Sequence, residues 1–231
     1  MRRGLVGVLL TMLLTAGAVG AGAVTTSNAG TRGVVLFVGD SNITLGAAAI
    51  NWMLTWQEHP NNGYVPVLAP RVGSAIRTPD CLDPNDCTTF NYWRLKLATI
   101  LSKVDADVIV NNLGISDTAR PGTNTTAGYD NYGLKIDWFM NLVGGKRVLW
   151  TTLPCVIEPP SRLTGCRTVN HALVRARDRW PNLTIVLWNE VANSHPEYMA
   201  SPGEDIHYSA AGAAAWSKLV VDALDARFQA P

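Results

Sequence analysis

Ser41 and His207 are the side chains whose types and settings suit nucleophilic catalysis. Ser41 stands in Gly39-Asp40-Ser41-Asn42, directly after the apolar run Val34-Val35-Leu36-Phe37-Val38. That run has the length and β-branched content of a buried strand. Asn42 to His59 then reads as a helix, with Leu45, Ile50, Met53 and Leu54 at helical spacing. A serine at such a junction lies beside unpaired backbone N–H groups, which favour developing negative charge. His207 comes 166 residues later, in Gly203-Glu204-Asp205-Ile206-His207-Tyr208-Ser209. Serine is a weak nucleophile until a base takes its proton, and the base needs an acid to fix its tautomer. Glu204 and Asp205 are the acids at hand. Taken singly, Asp40 or Ser41 reads equally well as a helix cap, and Ser209 as the cap of the last helix. The pair of segments points to chemistry.

The elements that must bring them together alternate. Strands are predicted at Val34–Val38, Tyr64–Leu68, Asp107–Asn111, Arg147–Thr152 and Thr184–Trp188. Helices are predicted at Asn42–His59, Asn91–Val104, Tyr129–Val143, Cys166–Trp180 and Ser209–Phe228. This alternation predicts an α/β fold: a three-layer α/β/α, flavodoxin-like parallel sheet of about five strands with helices on both faces. Ligands in such sheets bind beyond the carboxyl ends of the strands. Ser41 follows the first strand, Gly73 the second and Gly114–Asp117 the third, while a loop carries His207 beyond the fifth.

Together these segments resemble the SGNH hydrolases, also called GDSL esterases and lipases. Gly39-Asp40-Ser41 matches the first block of that family. His207 matches the histidine of its Asp-x-x-His block, with Glu204 where the family has aspartate. Gly73 is the candidate for the second block. The third, Gly-x-Asn-Asp, is matched by Gly114-Ile115-Ser116-Asp117, with Ser116 in place of asparagine. The resemblance spans about residues 33 to 228. It implies Ser41 as nucleophile, His207 as base and Glu204 as acid, with Asp205 the alternative two positions before the histidine. It also implies an oxyanion hole of the Ser41 and Gly73 N–H groups and the Ser116 hydroxyl, with Asn111 or Asn112 able to compensate for the shorter serine.

Other serine-hydrolase patterns do not fit. Chymotrypsin-like proteases place Gly-Gly after the serine and the histidine before it, and the Gly-x-Ser-x-Gly elbow lacks its last glycine here. The segment from Val186 to His207 is similar to the SGNH domains of cell-wall O-acetyltransferases and their exported relatives. This implies an exported serine esterase acting on small-acyl esters, acetyl foremost, carried on a small molecule or a carbohydrate. An O-acyltransferase using the same serine and a catalytically weak binding protein of the same fold are the alternatives.

Composition sets the remaining expectations. Met1-Arg2-Arg3, the apolar stretch Leu5–Leu14 and Ala21-Gly22-Ala23 read as a signal peptide over residues 1–23. Residues 24–32 then form a short segment before one SGNH domain at 33–231. Loss of residues 1–23 removes two arginines, so 19 minus 2 leaves 17 basic residues against 18 acidic. A near-neutral chain without charge runs offers nothing to nucleic acid. The expectation is a secreted or extracytoplasmic monomer without stable membrane insertion. The four cysteines allow two disulfides, and the turn-rich loops they enclose favour Cys81–Cys87 and Cys155–Cys166. No cysteine has a partner at metal-ligand spacing, and neither metal nor cofactor is expected.

Among the other histidines, His59 is placed at a helix end, His171 on a helix face and His195 on a surface loop, the last being the fallback base. Of the eight tryptophans, Trp52 and Trp56 share a helix face that reads as core, and Trp188 is the candidate for substrate contact.

Overall fold

The computed structural model describes residues 32–55, 63–76, 92–119, 126–155, 160–200 and 206–228. Glu204, Asp205, Cys81, Cys87, Trp56, His59 and the expected signal segment lie outside the described residues.

Five parallel strands form one sheet: β1 (Gly33–Gly39), β2 (Tyr64–Pro70), β3 (Val108–Asn112), β4 (Arg147–Thr151) and β5 (Leu183–Val186), in the order β2-β1-β3-β4-β5. This is the flavodoxin-like arrangement expected from the alternation of elements. The helices are α1 (Ser41–Thr55), α2 (Tyr92–Leu101), α3 (Thr126–Val143), α4 (Pro160–Ala176), α5 (Trp188–Ala192) and α6 (Ala210–Phe228). Short 3-10 turns occupy Ile115–Ala119 and Pro196–Tyr198.

The pleat assigns alternate strand residues to opposite cores. Phe37, Val110 and Leu149 lie in register and pack with Trp216, Val220 and Leu224 of α6 and Ile43 and Ile50 of α1. Leu36, Ile109 and Val148, also in register, pack with Ile136, Phe139 and Met140 of α3, Leu173 of α4 and Leu97 of α2. All of these side chains are buried, so the central strands are covered on both faces. Such runs are apolar throughout rather than alternating, which is why they were legible as strands.

Three expectations change. The fifth strand stops at Val186, and Trp188 opens α5 rather than ending the strand. Asn189 causes the turn: Thr152 Oγ1 donates to its Oδ1 at 2.6 Å, and its own N–H donates to Thr152 Oγ1 at 3.0 Å. Trp188 is fully buried, stacked on Tyr198 and edge-on to Tyr208, so it touches no substrate. Trp52 is 47% exposed, because the core face of α1 runs through Ile43, Gly46, Ile50, Met53 and Leu54.

Helix α6 approaches the rest of the chain closely at Gly212, where a Cβ would collide with the Tyr198 carbonyl oxygen. Gly212→Ala is expected to cost about 1–3 kcal/mol through overpacking, with each kcal/mol lowering the melting temperature by roughly 2–4 °C. Calorimetry of the variant beside wild type checks this; an unchanged transition would mean that α6 moves away freely.

Candidate active site

β1 delivers Ser41 to the first turn of α1, and the segment Ile206–Tyr208 carries His207. That segment is held from two sides. Met199 and Tyr208 form an isolated antiparallel bridge, and the Ala200 N–H donates to the His207 carbonyl at 2.9 Å. On the other side stands Asn42, whose Nδ2 donates to Ile206 O at 2.9 Å and whose Oδ1 accepts from the Tyr208 N–H at 3.1 Å. One buried amide thus grips the backbone on both sides of the histidine. His207 Nε2 lies 3.0 Å from Ser41 Oγ, within reach for proton transfer.

Asn42 is the positioning residue that sequence reading passed over, although it was named within the motif. The available signal was a polar residue at a buried position of α1, beside Ile43.

Asp40, which precedes the nucleophile in the chain, is fully buried. Its Oδ1 accepts from the Asn42 N–H at 3.0 Å, bearing out its expected role in holding the helix start. Its Oδ2 meets no hydrogen-bond partner among the described residues. Burial pushes this carboxyl from 3.8 up to about 7, against the downward pull of the Asn42 N–H. The folded protein therefore holds the Asp40 proton more tightly than the unfolded chain does. The stabilisation from that proton is complete below about pH 4 and is lost as pH rises through about 7. Asp40→Asn is expected to flatten this fall. Urea midpoints measured from pH 4 to 8 check it, and equal slopes in the two proteins would contradict the assignment.

Gly73 follows β2 in a turn with φ of 70°, a left-handed value that favours glycine. The turn is tied down on both sides: the Arg71 N–H donates to Gly39 O at 2.9 Å and the Ser74 N–H to Arg71 O at 3.1 Å. Ser116 is half-buried in the 3-10 turn after β3. Asp117 joins these two loops, accepting from the Ile76 N–H at 3.0 Å and from Lys135 Nζ at 2.9 Å.

Asn111 and Asn112 are buried, and their carbonyl oxygens are already engaged. Asn111 Oδ1 accepts from the Leu113 N–H at 2.9 Å, and Asn112 Oδ1 accepts from Thr151 Oγ1 at 2.7 Å. The amide nitrogens of both remain unpartnered among the described residues.

A cleft of about 360 Å³ opens over the pair, lined by Ser41, Thr44, Leu45, Val72, Ala200, His207 and Tyr208. Gly73 and Ser116 are not among these lining residues, though Gly73 adjoins Val72. Leu45 is 52% and Val72 62% exposed, so the walls beside the nucleophile are apolar and open.

His195 sits elsewhere on the surface, with Nδ1 2.8 Å from Glu197 Oε1 and its ring stacked on Tyr198. His171 is exposed on α4, the helix face expected for it. Ser209 caps α6 as well as following the histidine, since its Oγ accepts from the Gly212 N–H at 3.1 Å. Among the described residues, no group of three or more His, Cys, Asp or Glu side chains is placed to hold a metal ion.

The chain has the three-layer α/β/α fold of solved SGNH hydrolases. No family model matches the sequence, and no curated protein matches it. Solved structures do match. The C-terminal catalytic domain of Streptococcus pneumoniae peptidoglycan O-acetyltransferase A is 17% identical with a TM-score of 0.59, over 85% of this chain and 95% of that one. A carbohydrate acetylesterase family member from Sinorhizobium meliloti is 14% identical with a TM-score of 0.63, over 85% and 99%. The acetylxylan esterase Axe2 from Geobacillus stearothermophilus is 16% identical with a TM-score of 0.54, over 87% and 96%.

Proposed function

We propose that this protein is an exported serine esterase that removes small acyl groups, acetyl foremost, from a small-molecule or carbohydrate alcohol. The observation that carries the proposal is the 3.0 Å approach of His207 Nε2 to Ser41 Oγ in an open cleft. Ser41 Oγ attacks the ester carbonyl carbon while its proton passes to His207. Collapse of the tetrahedral intermediate breaks the bond to the alcohol, which leaves with the proton from His207. Water, deprotonated by the same imidazole, then attacks the acyl-serine and releases the acid.

The oxyanion is assigned to the N–H groups of Ser41, at the start of α1, and Gly73, with the Ser116 hydroxyl as third donor. Glu204 is the proposed acid behind His207, and Asp205 its alternative. Export is supported by the basic and apolar N-terminal segment and by the disulfide between Cys155 and Cys166, one of the two pairs expected from sequence. Among the described residues no helix is long and apolar enough to cross a membrane.

A sulfonyl fluoride probe tests the reading directly. It is expected to label folded protein once, at Ser41, and mass spectrometry of the digest locates the adduct. Absence of label in folded protein would overturn the proposal and favour a binding protein. The similarity to an O-acetyltransferase domain keeps transfer as the second reading. It is recognised by ester formed on an added sugar exceeding free acid released.

A further inference from the structure

A second concavity, of about 240 Å³, lies at the carboxyl ends of β4 and β5, lined by Cys155, Arg167, Asn170, His171, Asn189 and Asn193. It contains none of the residues assigned to catalysis. Arg167 and His171 are one helical turn apart on α4, and Asn189 and Asn193 one turn apart across α5, so each pair shares a face.

The hydrogen bonds fix which way the amides point. Asn189 Oδ1 accepts from Thr152 Oγ1 at 2.6 Å, and Asn193 Oδ1 accepts from the Cys155 N–H at 3.0 Å. Both acceptor atoms are thus committed to the protein, leaving the two NH2 groups to donate outward. Asn170 is spent on the wall itself: its Oδ1 accepts from the Leu153 N–H and its Nδ2 donates to Leu153 O, each at 2.8 Å. The disulfide from Cys155 to Cys166, next to Arg167, ties that wall to α4.

Among the described residues, the lining groups are therefore the Arg167 guanidinium, two amide donors and the His171 ring, with no carboxylate among them. Such a set is short of acceptors and selects a ligand rich in them, above all a carboxylate, which an arginine can hold with two parallel hydrogen bonds.

The position matters as much as the chemistry. In the order β2-β1-β3-β4-β5, Ser41 follows β1, and this concavity lies two to three strands along the same sheet edge. At roughly 4.8 Å per strand the offset is about 10–15 Å. We propose that the concavity is a subsite for a carboxylate on the alcohol portion of the substrate, which makes the preferred substrate an acylated acidic oligosaccharide rather than a neutral one. The substrate part of this inference rests on the esterase reading; the binding part stands without it.

The two parts are tested separately. In 15N-labelled protein titrated with galacturonate, the side-chain amide signals of Asn189 and Asn193 are expected to shift. Galactose should leave them in place, and Arg167→Gln should abolish the response, with Arg167→Lys retaining part of it. No shift with galacturonate, an equal shift with galactose, or an unaltered response in Arg167→Gln would overturn the subsite. In the kinetic arm, kcat/KM for acetylated oligogalacturonides over that for acetylated xylo-oligosaccharides is expected to fall at least tenfold in Arg167→Gln, while p-nitrophenyl acetate hydrolysis is unchanged. An unchanged ratio would overturn the link to substrate. Loss of all hydrolysis in wild type would instead count against the esterase reading and leave the titration to decide the subsite.

Discussion

His207→Ala is expected to lower kcat/KM for p-nitrophenyl acetate by about 10,000-fold or more, and Ser41→Ala to the same floor. The equality follows from geometry. Ser41 Oγ and His207 Nε2 are 3.0 Å apart and act on one proton, so removing either atom removes the same step. A double variant should be no worse than either single one, because the two act as a unit. The residual rate would come from oxyanion stabilisation and binding alone. Glu204→Ala and Asp205→Ala, assayed beside them, identify the acid: the one that fixes the imidazole tautomer should lose far more activity than its neighbour. Steady hydrolysis in folded His207→Ala would sink the assignment of the base.

Asn42→Ala comes second in size and tests a different kind of contribution. The side chain touches no reacting atom, yet it holds Ile206 O and the Tyr208 N–H on either side of the base. Removing it leaves two backbone groups without these partners and frees the histidine to drift. A displacement of about 1 Å in a catalytic group costs on the order of 100-fold. The expectation is a fall of that size in kcat, with KM little altered, since the cleft walls stay in place. Asn42→Asp should fall between alanine and wild type, because a carboxylate still accepts from the Tyr208 N–H but cannot donate to Ile206 O. Rates for both variants, with melting curves to separate misplacement from unfolding, decide the matter. A kcat for Asn42→Ala close to wild type would show that the Met199–Tyr208 bridge alone suffices.

The sheet was legible because β1 and β3 are buried on both faces and therefore read as unbroken apolar runs. The placement of Ser41 and His207 was legible for a related reason: parallel topology sends every strand-to-helix loop to one edge. Local chemistry overrode pattern elsewhere. Ile185-Val186-Leu187-Trp188 reads as continuous strand, but Thr152 captures both the Oδ1 and the N–H of Asn189 and turns the chain into α5. Trp52 was misplaced because spacing from Trp56 says that two residues share a face, not which face it is. The grip of Asn42 was hidden by distance: its partners lie 164 and 166 residues away, and nothing local announces them.

The exposed cleft walls carry a consequence for how this protein can diverge. Leu45 and Val72 border the nucleophile yet belong to neither buried core. Exchanges at such exposed positions usually alter stability by no more than about 0.5 kcal/mol. The scaffold can therefore try new acyl preferences at these two positions almost without thermodynamic penalty. Libraries confined to positions 45 and 72 should consequently yield mostly folded proteins, with selectivity free to wander while the proton-transfer pair stays put.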